Sequence, residues 1–596
     1  MKLSTLLIAS SAAWPAAAAS ARPNILFILV DDQDWHMHSL DYMPSVQKHL
    51  VGEGTLYANH YCTVALCCPS RVNMWTGRAA HNTNVTDVFA PYGGYPKVVR
   101  EGINENYLPT WLQDAGYNTY YSGKLWNQHD VTNYNKPFAR GFNQSSFLLD
   151  PYTYQYRNAT ISHNGAPPVN YPGQYSPDIT AEYAYVHLND ALSRQHDRPW
   201  FVVHAPIAPH SNVDFLPEFS IREPEYAERH AHLFKDYIIP RGDNFNVGGG
   251  VSWVKHLPPL NDTVIAYNDE FQRARLRALQ SVDEMVESMI RKLKESGQLE
   301  NTYIIYTTDN GYHISQHRMH PGKECGFDTD VHIPLIVRGP GIPAGHVSHA
   351  VTSHTDIAST ILGLIGQQMS EDETDGTPIP LSLVDEAEAR HEHVTIEYWG
   401  LAVPESKYGS YGDTHWTDDS VLVGAPGTGN NTYKAVRVIS ESYNFYYAVW
   451  CTNERELYDL KTDPGETKNL LAEETRPKQA YTLFGRPLSQ VVARLDALTL
   501  VLKSCKGRVC VEPWRQLHPR GDVSSLKDSL SIAFDAFYEG QDKVSFSDCK
   551  LGYLPEFEGP MVVNQFEVVG GEDDTWPQEL RKRDEARHGG RWSEWT

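Results

Sequence analysis

Cysteine, basic charge and long apolar runs are all scarce in this 596-residue chain. Eight cysteines in that length are too few for a disulfide scaffold, so a hydrophobic core must hold the fold, and a chain this long is expected to divide into a large domain and a smaller one. Lysine and arginine number 51 against 74 aspartates and glutamates, a net charge of −23. Nucleic acid and anionic membrane surfaces need a basic footprint, so neither is expected as a partner. No window offers roughly 20 uninterrupted apolar residues, which argues against a membrane-spanning helix, and no apolar C-terminal tail suggests a lipid anchor. No long internal repeat is present.

What is there begins with a leader. Lys2 precedes a short apolar stretch, Leu3 to Ala19, interrupted by Pro15 and followed by small residues through Ala21. This reads as a secretory signal peptide over 1–21, which makes the mature chain secreted or luminal. N-x-S/T triplets at Asn84, Asn143, Asn158, Asn261 and Asn430 fit a secreted glycoprotein.

Asn24-Ile-Leu-Phe-Ile-Leu-Val30 is a continuous β-rich apolar run, as expected of a strand buried on both faces, and it ends in Asp31-Asp32. Trp200 to His204 leads in the same way into Ala-Pro-Ile-Ala-Pro-His210, and Tyr303 to Tyr306 into Thr-Thr-Asp309-Asn310-Gly311. Ligands of open α/β sheets lie outside the carboxyl ends of the strands, so these three runs are expected to converge on one crevice. Asp269 to Ser296 carries helical spacing, and Ile333 to Arg338 and His354 to Gly366 continue the alternation. The expected fold class is α/β, a mostly parallel sheet flanked by helices. Gln367 to His393 reads as an acidic linker. Aromatic-rich runs at Tyr433–Val438, Tyr443–Trp450 and Glu456–Leu460 predict a smaller antiparallel sheet, with a helix near Leu483 to Lys503. The expected division is 22–395 catalytic, 396–569 C-terminal and 570–596 a charged, poorly ordered tail.

The run Cys67-Cys-Pro-Ser-Arg-Val-Asn-Met-Trp-Thr-Gly77 describes a reactive centre. Four hard oxygen donors, Asp31, Asp32, Asp309 and Asn310, stand at two strand ends, and such donors select calcium or magnesium over zinc. With Thr76-Gly77-Arg78, the Cys67 motif resembles the signature of the type I sulfatases, and the likeness extends from Asn24 to the Glu456-Leu-Tyr-Asp-Leu-Lys-Thr-Asp-Pro segment. It is nearest to fungal arylsulfatases and more distant to N-acetylglucosamine-6-sulfatases.

The resemblance implies an alkaline-phosphatase-like α/β fold, one calcium ion, and oxidation of Cys67 to Cα-formylglycine by the formylglycine-generating enzyme of the endoplasmic reticulum. Asp31, Asp32, Asp309, Asn310 and the converted Cys67 would then coordinate the ion. Arg71 would orient the aldehyde hydrate, Lys124 and Lys323 would hold sulfate oxygens, and His210, protonated, would assist the leaving alcohol. One geminal hydroxyl would attack sulfur and the other would expel sulfate, a second step that serine could not perform. The substrate would be a small-molecule or glycan sulfate ester. Many sulfatases place a histidine two residues after the Gly-Lys lysine. This chain has Trp126 there, and Asn127 is a candidate to share its role.

Setting Cys67 aside leaves seven cysteines, so at least one is unpaired. Cys505 with Cys510, then Cys451 with Cys549, are the disulfide candidates, and Cys68 is expected to be buried or paired. The turn carrying His313, Gln316, His317 and His320 either lines the pocket or is a hydrogen-bonded loop. Two rival functions remain: a phosphonate or phosphodiester hydrolase of the same superfamily, and an inactive secreted binding protein.

Overall fold

The computed structural model describes residues 22–194, 198–215, 219–389, 391–408, 415–416, 422–423, 430–473 and 481–566. The expected signal peptide at 1–21 and charged tail at 570–596 lie outside them.

The run expected to be a doubly buried strand is one. In Asn24–Val30 the side chains of Leu26, Ile28 and Val30 enter one core and those of Ile25, Phe27 and Leu29 another, so each face of the sheet has its own hydrophobic layer. The first layer is completed by the helices Ser176–Ser193 and Asp262–Glu295. The second is completed by the helices Cys67–Thr76 and Thr355–Leu364, with Trp75 tilted against Phe27 at 5.0 Å. Full burial of each such side chain contributes roughly 1.5–3 kcal/mol.

The large sheet has ten strands in the order His346–Ser353, Thr55–Tyr61, Leu335–Arg338, Thr302–Thr308, Asn24–Val30, Trp200–Ala205, Asn118–Gly123, Gln144–Leu148, Thr160–His163, Val169–Asn170. Leu335–Arg338 and Thr160–His163 run against the rest. The four neighbours from Thr302–Thr308 to Asn118–Gly123 are mutually parallel, so their carboxyl ends open on the same edge. The long helix begins seven residues before the expected Asp269: Asn261 Oδ1 accepts the Val264 amide and caps it at Asp262.

The smaller sheet, His393–Tyr398, Tyr433–Ile439, Asn444–Trp450 and Arg455–Asp459, is antiparallel throughout. Its first strand spans the expected division at 395/396. Tyr433, Ala435, Tyr446 and Ala448 face Leu66, Phe327 and Val331 of the larger unit. Val436, Val438, Phe445 and Tyr447 face the helix Leu488–Leu502. Within the expected linker, a helix at Leu383–Glu388 carries a Ser382–Asp385 capping box. Cys505–Cys510 and Cys451–Cys549 are both disulfides, while Cys62, Cys67, Cys68 and Cys325 are free and buried.

A buried ion pair fastens the two units. Glu397 lies opposite Lys434 in the small sheet and accepts from its ammonium at 2.8 Å. The same carboxylate contacts His81 Nδ1 at 2.8 Å, and His81 Nε2 reaches the Cys505 carbonyl at 2.7 Å. Burial pushes the Glu397 carboxyl up, but His81 and Lys434 outweigh it and hold it at about 2, below its ordinary 4.5. A depressed carboxyl stabilises the fold above its unfolded value, and that contribution is lost as pH falls through the folded one. Glu397→Gln is expected to cost about 1.5–3 kcal/mol by denaturant unfolding, because the buried Lys434 would lose its 2.8 Å partner and keep only Glu558 at 3.5 Å. The variant should also lose the part of the acid-unfolding profile that wild type shows between pH 4.5 and about 2.

Candidate active site

Four adjacent parallel strands deliver the site. Asp31 and Asp32 follow Val30, Asp309 and Asn310 follow Thr308, Lys124 follows Gly123, and the loop after Ala205 carries His210. Gly123 has φ +104°, and a Cβ there would sit 2.0 Å from the Ala205 carbonyl oxygen, so only glycine lets Lys124 leave the sheet at this point. The Lys124 amide then donates to Ala205 O at 2.9 Å. Asp32 turns through φ +66° while its amide donates to Asp309 Oδ1 at 3.0 Å, which locks the two acidic strand ends together.

Cys67 is the first residue of the helix Cys67–Thr76, which has no side-chain cap, and Pro69 sits in the first turn, where its missing N–H costs nothing. Gly77, at φ +68°, ends the helix with its amide on Asn73 O at 2.9 Å. Cys67 Sγ lies 3.6 Å from Asp31 Oδ1, 3.9 Å from Asp32 Oδ1 and 3.4 Å from Lys323 Nζ. The unsatisfied amides of a helix N-terminus favour an anion here.

Every expected site residue is brought together. Lys124 Nζ donates to Asp31 at 2.7 and 2.9 Å, and Lys323 Nζ to Asp32 at 2.6 and 2.7 Å. Arg71 Nε donates to Asp309 at 2.8 Å, with its Nη2 3.6 Å from Asp31. Asn310 Nδ2 donates to Asp32 at 2.8 Å, and His210 Nε2 lies 3.5 Å from Asp32 Oδ2. Asp31, Asp32, Arg71, Lys124, Asp309 and Asn310 are 0 % exposed and His210 is 4 % exposed, so the floor is sealed and the His210 side is the more open.

The electrostatics follow from that burial. Burial and the nearby Asp309 push Asp31 up to about 7 against Lys124 and Arg71. Burial acts the same way on Asp32 and Asp309, but Lys323 and His210 hold the first below its ordinary value, and Arg71 and Lys124 hold the second far below. Burial also carries the Cys67 thiol well above its usual range despite both lysines. It lowers His210 to about 4, with Asp32 pulling the other way. His210 Nδ1 is 2.8 Å from the Ser211 carbonyl and so donates to it, which leaves the Nε2 lone pair facing the acidic centre. Desolvation thus favours the neutral ring, and His210 would need a second proton to assist a leaving alcohol.

Three carboxylates face three cationic side chains in this pit, and Asn310 Oδ1 is buried without a hydrogen-bond partner. A crowded set of oxygen donors with an unused amide oxygen, one carboxyl of which is driven upward by its neighbours, suits a hard divalent cation.

Other residues escaped sequence reasoning. Tyr154 stacks on His210 at 4.2 Å and lies beneath Lys124 Nζ at 4.8 Å, and its hydroxyl accepts from Asn127 Nδ2 at 2.7 Å. Glu405 Oε1 is 3.2 Å from Lys323 Nζ. His354 Nδ1 bonds Ser70 Oγ at 2.8 Å, and Ser70 donates to the Asp309 carbonyl, bracing the acidic turn from behind. Trp126 is buried in the core against Tyr107. Of the histidine-rich turn, His313 bonds Asp330 at 2.8 Å and His317 stacks on Phe327 at 4.2 Å, both in structural roles.

Residues 23–367 match the sulfatase family. The chain is 38 % identical over 576 residues to an arylsulfatase of Volvox carteri, covering 91 % of this chain and 84 % of that one. It is 30 % identical over 517 residues to the N-acetylglucosamine-6-sulfatase of Homo sapiens, covering 83 % and 87 %. A solved structure in complex with its substrate D-glucosamine-2-N,6-O-disulfate superposes with a TM-score of 0.57 at 21 % identity, over 76 % of this chain and 94 % of that one, which speaks to the fold. Sequence, fold and the convergence of strand ends on Cys67 agree that the chain belongs to the sulfatase family.

Proposed function

We infer that this protein hydrolyses sulfate monoesters, aryl sulfates among them, to an alcohol or phenol and inorganic sulfate, with a nucleophile made from Cys67. The observation that carries this reading is the position of Cys67 Sγ, at a helix N-terminus, between two carboxylates and a lysine whose partners converge from separate strand ends. Burial keeps the side chain protonated as a thiol, a poor state for attack. Oxidation to formylglycine replaces that need with the hydroxyl of an aldehyde hydrate.

The cation would be calcium, as the family resemblance implies, held by Asp31, Asp32, Asp309, Asn310 and the converted Cys67. When bound it would supply polarisation of the hydrate and two positive charges to a pit whose side chains carry no surplus positive charge. The surplus explains how a chain of net charge −23 admits an anionic ester. Each ammonium has three donors: Lys124 keeps one beyond its two contacts to Asp31, while Lys323, which also meets Glu405 and Cys67, would exchange one of these contacts for a sulfate oxygen. Arg71 holds the acidic cluster and orients the Cys67 side chain. To donate to the bridging oxygen, His210 must take a second proton at Nε2, and the charge of the bound ester favours that form. Asn127, through Tyr154, steadies the His210 ring.

A secreted glycoprotein, matured by the formylglycine-generating enzyme in the secretory pathway, completes the proposal. Asn84, Asn143 and Asn261 of the acceptor triplets are exposed, and no helix among the described residues is long and apolar enough to cross a membrane. The division into catalytic, C-terminal and tail segments at 22–395, 396–569 and 570–596 is part of the same reading.

Mass spectrometry of the Cys67 peptide should show the aldehyde or its hydrate, whereas a quantitative thiol or disulfide would sink the mechanism. Cys67→Ala should abolish turnover of nitrophenyl sulfate with an unchanged melting temperature. Lys323→Ala should raise KM for that ester roughly 10- to 100-fold, the worth of a charge-assisted hydrogen bond. Calorimetric titration should find one calcium site in the wild type, weakened in Asp309→Asn. Faster cleavage of the matching phosphonate than of the sulfate would favour the rival hydrolase.

A further inference from the structure

Glu405 is a fourth carboxylate of the site, and it faces Lys323. Its amide donates to the Pro321 carbonyl at 2.6 Å, which fixes the segment across the turn that carries Lys323. Gly322 keeps that approach close, since a Cβ there would meet the Val403 carbonyl at 3.1 Å. The Glu405 side chain is held from two more sides: Oε2 accepts from Tyr312 OH at 3.0 Å and from Ser211 Oγ at 3.2 Å, while Oε1 faces Lys323 Nζ at 3.2 Å. Because Lys323 Nζ also lies 3.4 Å from Cys67 Sγ, one ammonium separates this carboxylate from the reacting position.

Its side chain is 10 % exposed, against 2 % for Lys323, 5 % for His210 and 0 % for Asp32, so Glu405 stands at the solvent edge of the pit, beside the histidine that serves the leaving group. Across Lys124 and Tyr154, Asn127 is 7 % exposed, and its Oδ1 is buried without a hydrogen-bond partner. The floor offers donors for a sulfate group. The edge offers the Glu405 carboxylate as an acceptor, and Asn127 Oδ1 is a second, unpaired acceptor buried beside Tyr154.

We propose that Glu405, with Asn127, forms a leaving-group subsite that selects sulfate esters carrying hydroxyl or ammonium donors beside the ester oxygen and rejects those carrying a carboxylate there. The physical basis is complementarity in a half-desolvated site: a donor pairs with Glu405 or Asn127 Oδ1, whereas an acidic group would face a like charge where solvent screening is weak. Glu405 also steadies Lys323, so its removal affects every substrate somewhat, but only the subsite makes the effect depend on the charge of the leaving group. The proposal rests on the sulfatase reading.

The test uses the full-length, formylglycine-bearing enzyme and three nitrophenyl sulfates: unsubstituted, with an aminomethyl group ortho to the ester, and with a carboxylate at the same place. Wild type should prefer the ammonium over the carboxylate probe by at least about tenfold in kcat/KM, and Glu405→Gln should bring that ratio at least about fivefold nearer to unity. Asn127→Ala should lower turnover of the ammonium probe more than that of the unsubstituted one. A wild-type ratio near unity, or one that Glu405→Gln leaves unchanged while all three rates fall together, overturns the subsite and leaves Glu405 as support for Lys323. Loss of folding in Glu405→Gln is checked by its melting temperature, with Glu405→Asp as the conservative variant, which should keep the sign of the preference. Failure of wild type to cleave even the unsubstituted sulfate overturns the hydrolase reading and the subsite with it, a result distinct from cleavage without preference.

Discussion

Everything in this molecule is arranged around buried charge at one edge of a parallel sheet. Asp31, Asp32 and Asp309 are fully buried and within reach of one another, a configuration that like-charge repulsion and desolvation both oppose. It persists because Lys124, Lys323 and Arg71 are delivered to the same place by rigid elements: the first from a neighbouring strand end, the second from a turn braced by Glu405, the third from a helix packed under the sheet. A sheet whose two faces are both buried in hydrophobic layers supplies the stiffness that such a balance demands.

The same balance accounts for the chemistry. Three cations face Asp31, Asp32 and Asp309, with Glu405 as a fourth carboxylate beside Lys323, so the side chains leave no surplus positive charge for an anionic substrate, while the oxygen donors and the orphaned Asn310 Oδ1 suit a divalent cation that would add it. The functional unit is therefore the ensemble of strand ends. No single residue of it would bind sulfate alone in a chain this acidic.

The smaller unit takes part in the site as well as closing one face of the core. Glu397, Lys434 and His81 bind it to the larger one through a satisfied buried network, which favours one docking geometry. The segment that leaves its first strand carries Glu405 to the edge of the pit. Residues well beyond the Cys67 motif thus reach the edge of the pit.

The sequence by itself determined the doubly buried strand at Asn24–Val30 and the antiparallel aromatic sheet and offered both disulfides as candidates, while its resemblance to the type I sulfatases supplied the set Asp31, Asp32, Cys67, Arg71, Lys124, His210, Asp309, Asn310 and Lys323. Apolar runs and strand-end acids are local signals, and the reactive motif is contiguous. The long helix began seven residues early because its cap, Asn261, lies ahead of the apolar periodicity. Tertiary structure alone decided the rest. Tyr154, Ser70 with His354, and Glu405 enter the site through contacts between segments far apart in the chain, and nothing in their neighbours' composition announces them. Titration behaviour was decided there too: burial lowers the His210 ring and raises the Cys67 thiol, because the cost of charge depends on burial, and burial is a property of the folded chain.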